Sequence, residues 1–315
     1  MNLSALRYLV ALQEHRHFGR AAAACHITQP ALSNAIRALE EELSVVIVKR
    51  DRSFSGLTPE GERVLESAQL MLHEAANLQQ ALAGGTHLPS SPLRIAAVPT
   101  AIPIAARFAG MLQARHAAVQ PVVLSLSSSE LELGLQELSI DMALGYVDRL
   151  QAIDKKLRSL PQYTEHYFLL RRAPGPAAQA GLQIGPPMPW RAAAALPLCL
   201  LTRSMHNRTL VDAAFATAGT HVVPAMETNS IMTMMLSVVA GQVCSILPGA
   251  LVDTVRSYPG LEAFPLTGPE MQIKIAFMAH AHVRPSRALE AALALAQDAA
   301  WLRHAAAHSG LLMAS

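Results

Sequence analysis

The stretch FGRAAAACHITQPALSNAIR, residues 18–37, decides the fold. Phe18, Ala21, Ala22 and Cys25 supply the apolar side of a short helix, and His26-Ile27 makes a tight connection. Thr28 is a good N-cap for the next helix, because its hydroxyl can accept from a first-turn N–H. Pro30 then stands in that first turn, where a missing N–H costs nothing. Ala31, Ala35, Ile36, Leu39 and Leu43 form an inward stripe at helical spacing. Gln29, Ser33 and Arg37, four residues apart, share the opposite face. They offer an amide, a hydroxyl and a guanidinium, the groups suited to base edges and phosphates in a major groove. An ordinary solvated polar face is the alternative. Two short helices with small-residue packing, followed by Lys49-Arg50-Asp51-Arg52, describe a winged helix-turn-helix over residues 1–58.

Downstream, Thr58-Pro59-Glu60 is a helix start: a cap, a proline, then an acid near the positive helix end. Val64, Ala68, Met71, Ala75, Leu78 and Leu82 follow in a heptad seam, and Gly84-Gly85 stops the helix. Such a seam serves self-association, or else packs the helix on its own domain. THLPSSP, residues 86–92, reads as a linker. From there aliphatic runs alternate with helical segments: 93–98, 122–126, 140–145, 166–170, 196–201, 244–247 and 273–278. Near-continuous apolar runs fit a parallel sheet covered on both faces. Residues 173–189, rich in Pro and Gly, suggest a surface loop.

At 315 residues the chain is too long for one core. A hydrophobic content of 51% with 15% charge is globular. Mean hydropathy is positive, but no run of about 18 apolar residues exists. The N-terminus lacks the pattern of a secretion signal, so a cytoplasmic location and no membrane partner are expected. Cys25, Cys199 and Cys244 are far apart, form no CxxC, and each sits in an apolar stretch as a core residue would. The net charge of +2 does not announce a nucleic-acid binder. Residues 1–58 carry seven cationic against five anionic side chains, so placement matters more than excess.

The block LRYLVALQEHRHFGRAA…ITQPALSNAIRALEEEL…KRD…LTPEG resembles the LysR-type transcriptional regulators, and a weaker resemblance continues to about residue 300. The resemblance implies a recognition helix carrying Thr28, Gln29, Pro30, Ser33 and Arg37, with Arg50 in the wing on a backbone phosphate. It implies a dimerising linker helix over 59–91, and dimers that pair into tetramers. It also implies a periplasmic-binding-protein-like effector domain over 92–305, α/β in class, with lobe one at 92–164 and 268–305 and lobe two at 165–267. Three positions depart from the family: Ser44 replaces the usual Gly, Val48 a usual aromatic, and His17 a usual Ser. Double-stranded DNA, a small-molecule effector, a second copy and, for an activator, RNA polymerase are the expected partners.

Hydroxyl residues recur where strands hand over to helices: Thr100, Ser127, Ser128, Thr202, Thr228 and Asn229. Helix N-termini there favour a small organic anion, with Arg203 as a possible extra charge, although each hydroxyl alone also reads as a plain cap. Peroxide sensors of the family carry a reactive Cys where this chain has Met205-His206-Asn207, which speaks against redox sensing. His280-x-His282 lacks a third ligand, so neither metal nor cofactor is expected. No phosphate loop and no nucleophile elbow occur, which speaks against an enzyme. The competing reading is an effector-insensitive DNA-binding protein whose C-terminal domain serves only assembly.

Overall fold

The computed structural model describes residues 2–50, 54–82, 92–151, 157–174, 181–281 and 283–312. They form two compact units, 1–89 with 283–286 and 90–282 with 287–315.

The first unit begins with α1 (Leu3–His15), α2 (Phe18–Ala24) and α3 (Gln29–Leu43). A two-stranded antiparallel wing, β1 (Val48–Arg50) and β2 (Phe54–Leu57), precedes the long α4 (Pro59–Leu82). Leu6, Leu9 and Leu12 of α1 pack on Ala21 and Ala22 of α2 and on Leu32, Ile36 and Leu39 of α3. The stripe of α3 is therefore shifted from the expected one. Leu32 is buried, while Ala31 and Leu43 are exposed, because spacings of four and three from Leu32 follow the true helical period.

Two of the three departures acquire local reasons. His17 caps α2, its Nδ1 accepting from the N–H groups of Gly19 at 3.1 Å and Arg20 at 3.3 Å. Ser44 takes the left-handed conformation at the end of α3, with φ 54°. The wing is tied to α3 through Glu40 Oε1, which accepts from Ile47 N–H at 2.9 Å and Val48 N–H at 3.1 Å. Gly61 allows the start of α4 to meet the wing, since a Cβ there would stand 2.2 Å from the Ile47 carbonyl oxygen.

The second unit is α/β. In chain order it comprises β3 (Pro92–Ala97), α5 (Ile102–Arg115), β4 (Gln120–Ser125), α6 (Ser128–Gln136), β5 (Met142–Tyr146) and α7 (Val147–Gln151). Next come the long β6 (Leu157–Arg172), short β7 (Gln183–Ile184) and β8 (Met188–Pro189), α8 (Trp190–Ala193), β9 (Leu198–Leu201) and α9 (His206–Thr217). Then β10 (Met226–Thr228), α10 (Ile231–Val239), β11 (Cys244–Pro248), α11 (Gly249–Thr254), β12 (Leu261–Thr267), β13 (Gln272–His280), α12 (Arg287–Leu295) and α13 (Ala299–Ala307) complete it.

The strand order is β10-β9-β11-β6-β13-β5-β3-β4, with β12 also on β6. Strands β3, β4 and β5 run parallel, as do β9, β10 and β11, but β6, β12 and β13 pair antiparallel. The sheet is thus mixed where a parallel one was expected. The reason is β6, which pairs with β13 along residues 157–166 and with β11 and β12 along 167–172. One strand therefore belongs to both lobes. Lobe one packs around Phe108, Phe277 and Trp301, and lobe two has a core on each sheet face, around Trp190 and Phe215 on one and Phe168 and Met234 on the other.

Candidate functional site

In the first unit, Thr28 caps α3 by accepting from the Ala31 N–H at 3.4 Å, with Pro30 in the first turn. Gln29, Pro30 and Arg37 are exposed and Ser33 is half-buried, so α3 offers the polar face expected of it. His26 makes the turn in a left-handed conformation, φ 55°. Lys49 is exposed on the wing; Asp51 and Arg52, and the Arg50 side chain, lie outside the described residues. Along α4 the heptad positions divide. Ala68 is buried in the core of this unit and Val64 packs against it. Met71, Leu78 and Leu82 remain 40, 57 and 77% exposed.

In the second unit, the ends of β3, β5 and β9 converge on two adjoining cavities between the lobes. The smaller one, about 10 Å³, is lined by Thr100, Ser127, Ser128, Tyr146, His206 and Asn207 among others. The larger one, about 190 Å³, is lined by Ser128, Ser129 and Arg149 from lobe one and Arg203, Ser204 and His206 from lobe two. Thr100 is buried, its Oγ1 2.8 Å from the Tyr146 hydroxyl. Tyr146 in turn stacks edge-on against His206, ring centres 5.0 Å apart. Burial lowers the His206 pKa, so the ring is neutral near pH 7, and its buried Nε2 has no partner among the described residues. Arg149 pairs with Glu132 at 2.5 Å. A third cavity, about 370 Å³, lies on lobe two beside Arg208, whose guanidinium is already held by Asp212 and Glu227.

The expected hydroxyls thus separate. Thr100 and Ser128 line the cleft. Ser127 does too, but it closes a capping box on α6, its N–H and Oγ both donating to the Glu130 carboxylate at 2.7 Å. Those bonds hold the Glu130 pKa low. Thr202 pairs with Ser204, and Thr228 accepts from the Ser230 N–H; neither of these, nor Asn229, lines the two cavities. Helix α9, in contrast, starts behind Met205 with no side-chain cap; the Arg208 N–H donates to the Met205 carbonyl at 3.0 Å, and His206 and Asn207, which open the helix, line the cleft. Sequence reasoning missed Tyr146, Arg149, Ser129 and Ser204, and noted His206 only as a replaced cysteine. Their shared signal is position, since each follows or ends a strand or opens a helix beside Thr100, Ser128 or Arg203.

Among the described residues no group of His, Cys, Asp and Glu could hold a metal, and no helix is long and apolar enough to cross a membrane. His282 lies outside the described residues.

Two family models match: a bacterial regulatory helix-turn-helix protein of the lysR family over residues 3–62, and a LysR substrate binding domain over residues 86–301. A hydrogen peroxide-inducible genes activator of Pectobacterium carotovorum is 43% identical over 103 residues, and that match spans 33% of this chain and about a third (34%) of the relative's length. The probable HTH-type transcriptional regulator LrrA of Synechococcus elongatus is 30% identical over 254 residues, 79% of this chain and 81% of that protein. Full-length OxyR from Pseudomonas aeruginosa, in a variant form, superposes with a TM-score of 0.67 at 26% identity, covering 93% of this chain and 96% of that one. CbnR complexed with its target DNA shares the fold at a TM-score of 0.60 and 19% identity, covering 97% of this chain and all (100%) of that one. With both models matched and the second spanning more than half of it, the chain belongs to the LysR family of bacterial regulatory helix-turn-helix proteins.

Proposed function

We propose that this protein is a cytoplasmic, DNA-binding transcription regulator that responds to a small organic anion bound between the lobes of its second unit. The observation that carries the ligand class is the cleft itself. Arginines from both lobes, Arg149 and Arg203, flank the unpartnered His206 Nε2 and the uncapped start of α9. Neutral imidazole, hydroxyls and free N–H groups donate to a carboxylate, and the helix dipole favours its charge. A cavity of about 190 Å³ is below the usual size of a drug-like site, which suits a compact acid. In the first unit, Gln29, Ser33 and Arg37 would read base edges. Two such heads would be paired through the exposed Met71, Leu78 and Leu82 of α4. Pairing of dimers, and contact with RNA polymerase in an activator, follow as further parts of this reading.

Several relatives are named for hydrogen peroxide, which acts on thiolates. Here burial raises the pKa of Cys199 and Cys244, and burial together with Glu14 raises that of Cys25. None is disposed to ionise near neutral pH, which favours a binding signal over an oxidative one.

The test is calorimetric titration of wild type and Ser128→Ala, at a residue that lines both cavities, with a panel of small carboxylic acids. The variant keeps the shape and removes a hydroxyl, so affinity should fall by roughly tenfold or more. Binding of neutral or cationic compounds only, or equal affinity in the variant, would refute the anion cleft.

A further inference from the structure

Glu165 is completely buried on β6, next to the point where that strand passes from β13 to β11 and β12. Alternation puts Tyr163, Glu165 and Tyr167 on one strand face. The Tyr167 hydroxyl donates to Glu165 Oε2 at 3.1 Å, and Asn207 Nδ2 donates to the Tyr167 hydroxyl at 2.8 Å. The same amide reaches Tyr146, whose hydroxyl meets Thr100. Asn207 and Thr100 both line the smaller cavity, so two hydrogen bonds connect the carboxyl to the cleft wall. Glu165 Oε1 and the Tyr163 hydroxyl, both buried, have no partner among the described residues.

Among the described residues, burial is the cause that dominates at this carboxyl and no cation is among its perturbing neighbours. Tyr163 and Tyr167 on its own strand and Tyr146 on β5 are kept neutral, because burial pushes their hydroxyls above the ordinary range. His206 on α9 is neutral for the same physical reason. The residue across on β13 is Ile273, while Lys274 pairs with Thr164 on the other face of the strand. His166, which feels Glu270, shares that other face. Gly249 at the start of α11 meets Phe168 and the segment after α13 meets Thr164, so Asp253 and His308, which pair with each other, approach from that side as well. Farther along the near face, Arg171 and Glu262 satisfy one another. Asp148, Arg149 and Glu132 act on His206.

We propose that Glu165 sets the ligand charge that the cleft accepts: its carboxyl stays protonated, leaving a neutral, hydrogen-bond-donating wall for an anion, and a bound anion in turn holds that proton in place. This rests on the reading of the cleft as an anion site. Burial without a countercharge pushes the carboxyl up to about 8, the Tyr167 bond only partly opposing it. An anion nearby in a medium of low dielectric makes ionisation harder still. By linkage, anion affinity must fall as pH rises through the value of the free protein, by up to tenfold per unit. Glu165 is here a specificity-determining group that acts through Tyr167 and Asn207 and not by touching the ligand.

Sulfate is the probe, because its own charge does not change across the range. The full chain and Glu165→Gln are titrated calorimetrically from about pH 7 to about pH 9.5, in buffers of different ionisation enthalpy. Wild type should lose about fivefold in affinity between about pH 8 and about pH 9 and take up a proton on binding, while Glu165→Gln shows neither effect. A variant with the wild-type slope overturns the coupling alone. Absence of sulfate binding to wild type at tens of millimolar overturns the anion reading, and this coupling with it. Carbon-13 NMR of glutamate-labelled wild type keeps the question decidable if the variant does not fold. The Glu165 carboxyl must titrate near pH 8, and higher with sulfate; a resonance that titrates as an ordinary carboxylate overturns the proposal.

Discussion

Glu165→Gln should change how stability responds to pH. In the folded protein this carboxyl titrates near 8, against an ordinary value of 4.5. Between those values the native state binds the proton and the unfolded state releases it, so stability falls as pH rises. The contribution is fully present below about pH 4.5 and is lost as pH climbs through about 8. Each unit in that window costs about 1.4 kcal/mol, on the order of 5 kcal/mol over the whole of it. Glutamine keeps the shape and has no proton to lose. It also places an amide N–H where Oε1 is unpartnered, which costs about 1–3 kcal/mol at every pH. The absolute sign at one pH therefore depends on that offset, but the slope does not. The variant should gain roughly 3 kcal/mol on wild type between about pH 5.5 and about pH 8. Urea denaturation followed by tryptophan fluorescence reads the right unit, because both tryptophans, Trp190 and Trp301, lie in its two lobes. Parallel stability curves for the two proteins would refute a buried, neutral Glu165.

Leu78→Glu should abolish self-association in sedimentation at micromolar concentration, because it puts a charge into the exposed stripe of Met71, Leu78 and Leu82; an unchanged dimer would mean the stripe pairs with nothing. Arg37→Ala should weaken binding to a specific operator by about 1–3 kcal/mol in a footprinting titration, and unaltered footprints would remove α3 as the reading helix. Gly61→Ala should destabilise the first unit by roughly 1–3 kcal/mol, seen as faster amide exchange in α1 to α3, since the new Cβ would meet the Ile47 carbonyl oxygen at 2.2 Å; unchanged exchange would show that the wing yields freely.

The helix-turn-helix was legible because its signals are local. Thr28, Pro30 and the tight turn at His26 each act within four residues, and all three appear where the chain chemistry puts them. Ala31 lies four before Ala35 and so fits the helical spacing, but Leu32, four before Ile36, is the residue that is buried. The α/β unit was legible as strand runs, but not in its pairing. Strand β12 is hidden in the sequence because Glu262 and Pro265 interrupt its apolar residues, and the first half of β6 because Pro161, Gln162 and Glu165 look like surface residues. Nothing local marks Glu165 as buried. Its burial is a tertiary effect, produced where β6 changes partners and α9 closes over Tyr167.

The clearest pointer to the cleft is a place where a local rule is left unmet. Helices α6, α10 and α13 complete their own N-termini through Ser127, Ser230 and Asp298. Helices α8 and α11 start uncapped behind Pro189 and Pro248, and so do α5 and α9, which begin beside the cleft behind Ala101 and Met205 with no side-chain cap. An uncapped start forgoes about 1 kcal/mol of helix stability, a loss that a serine at either position would recover. In α5 part of the loss is absent, since Pro103 has no N–H to satisfy. In α9 no proline stands in the first turn, and the residues there are His206, whose buried Nε2 has no partner among the described residues, and Asn207, which links the wall to Glu165. An uncapped helix start, a buried imidazole nitrogen with no partner among the described residues and the Glu165 carboxyl behind them converge on one region. A self-satisfied helix start would stabilise the fold better; donors left unfilled beside a cavity are what an anion requires.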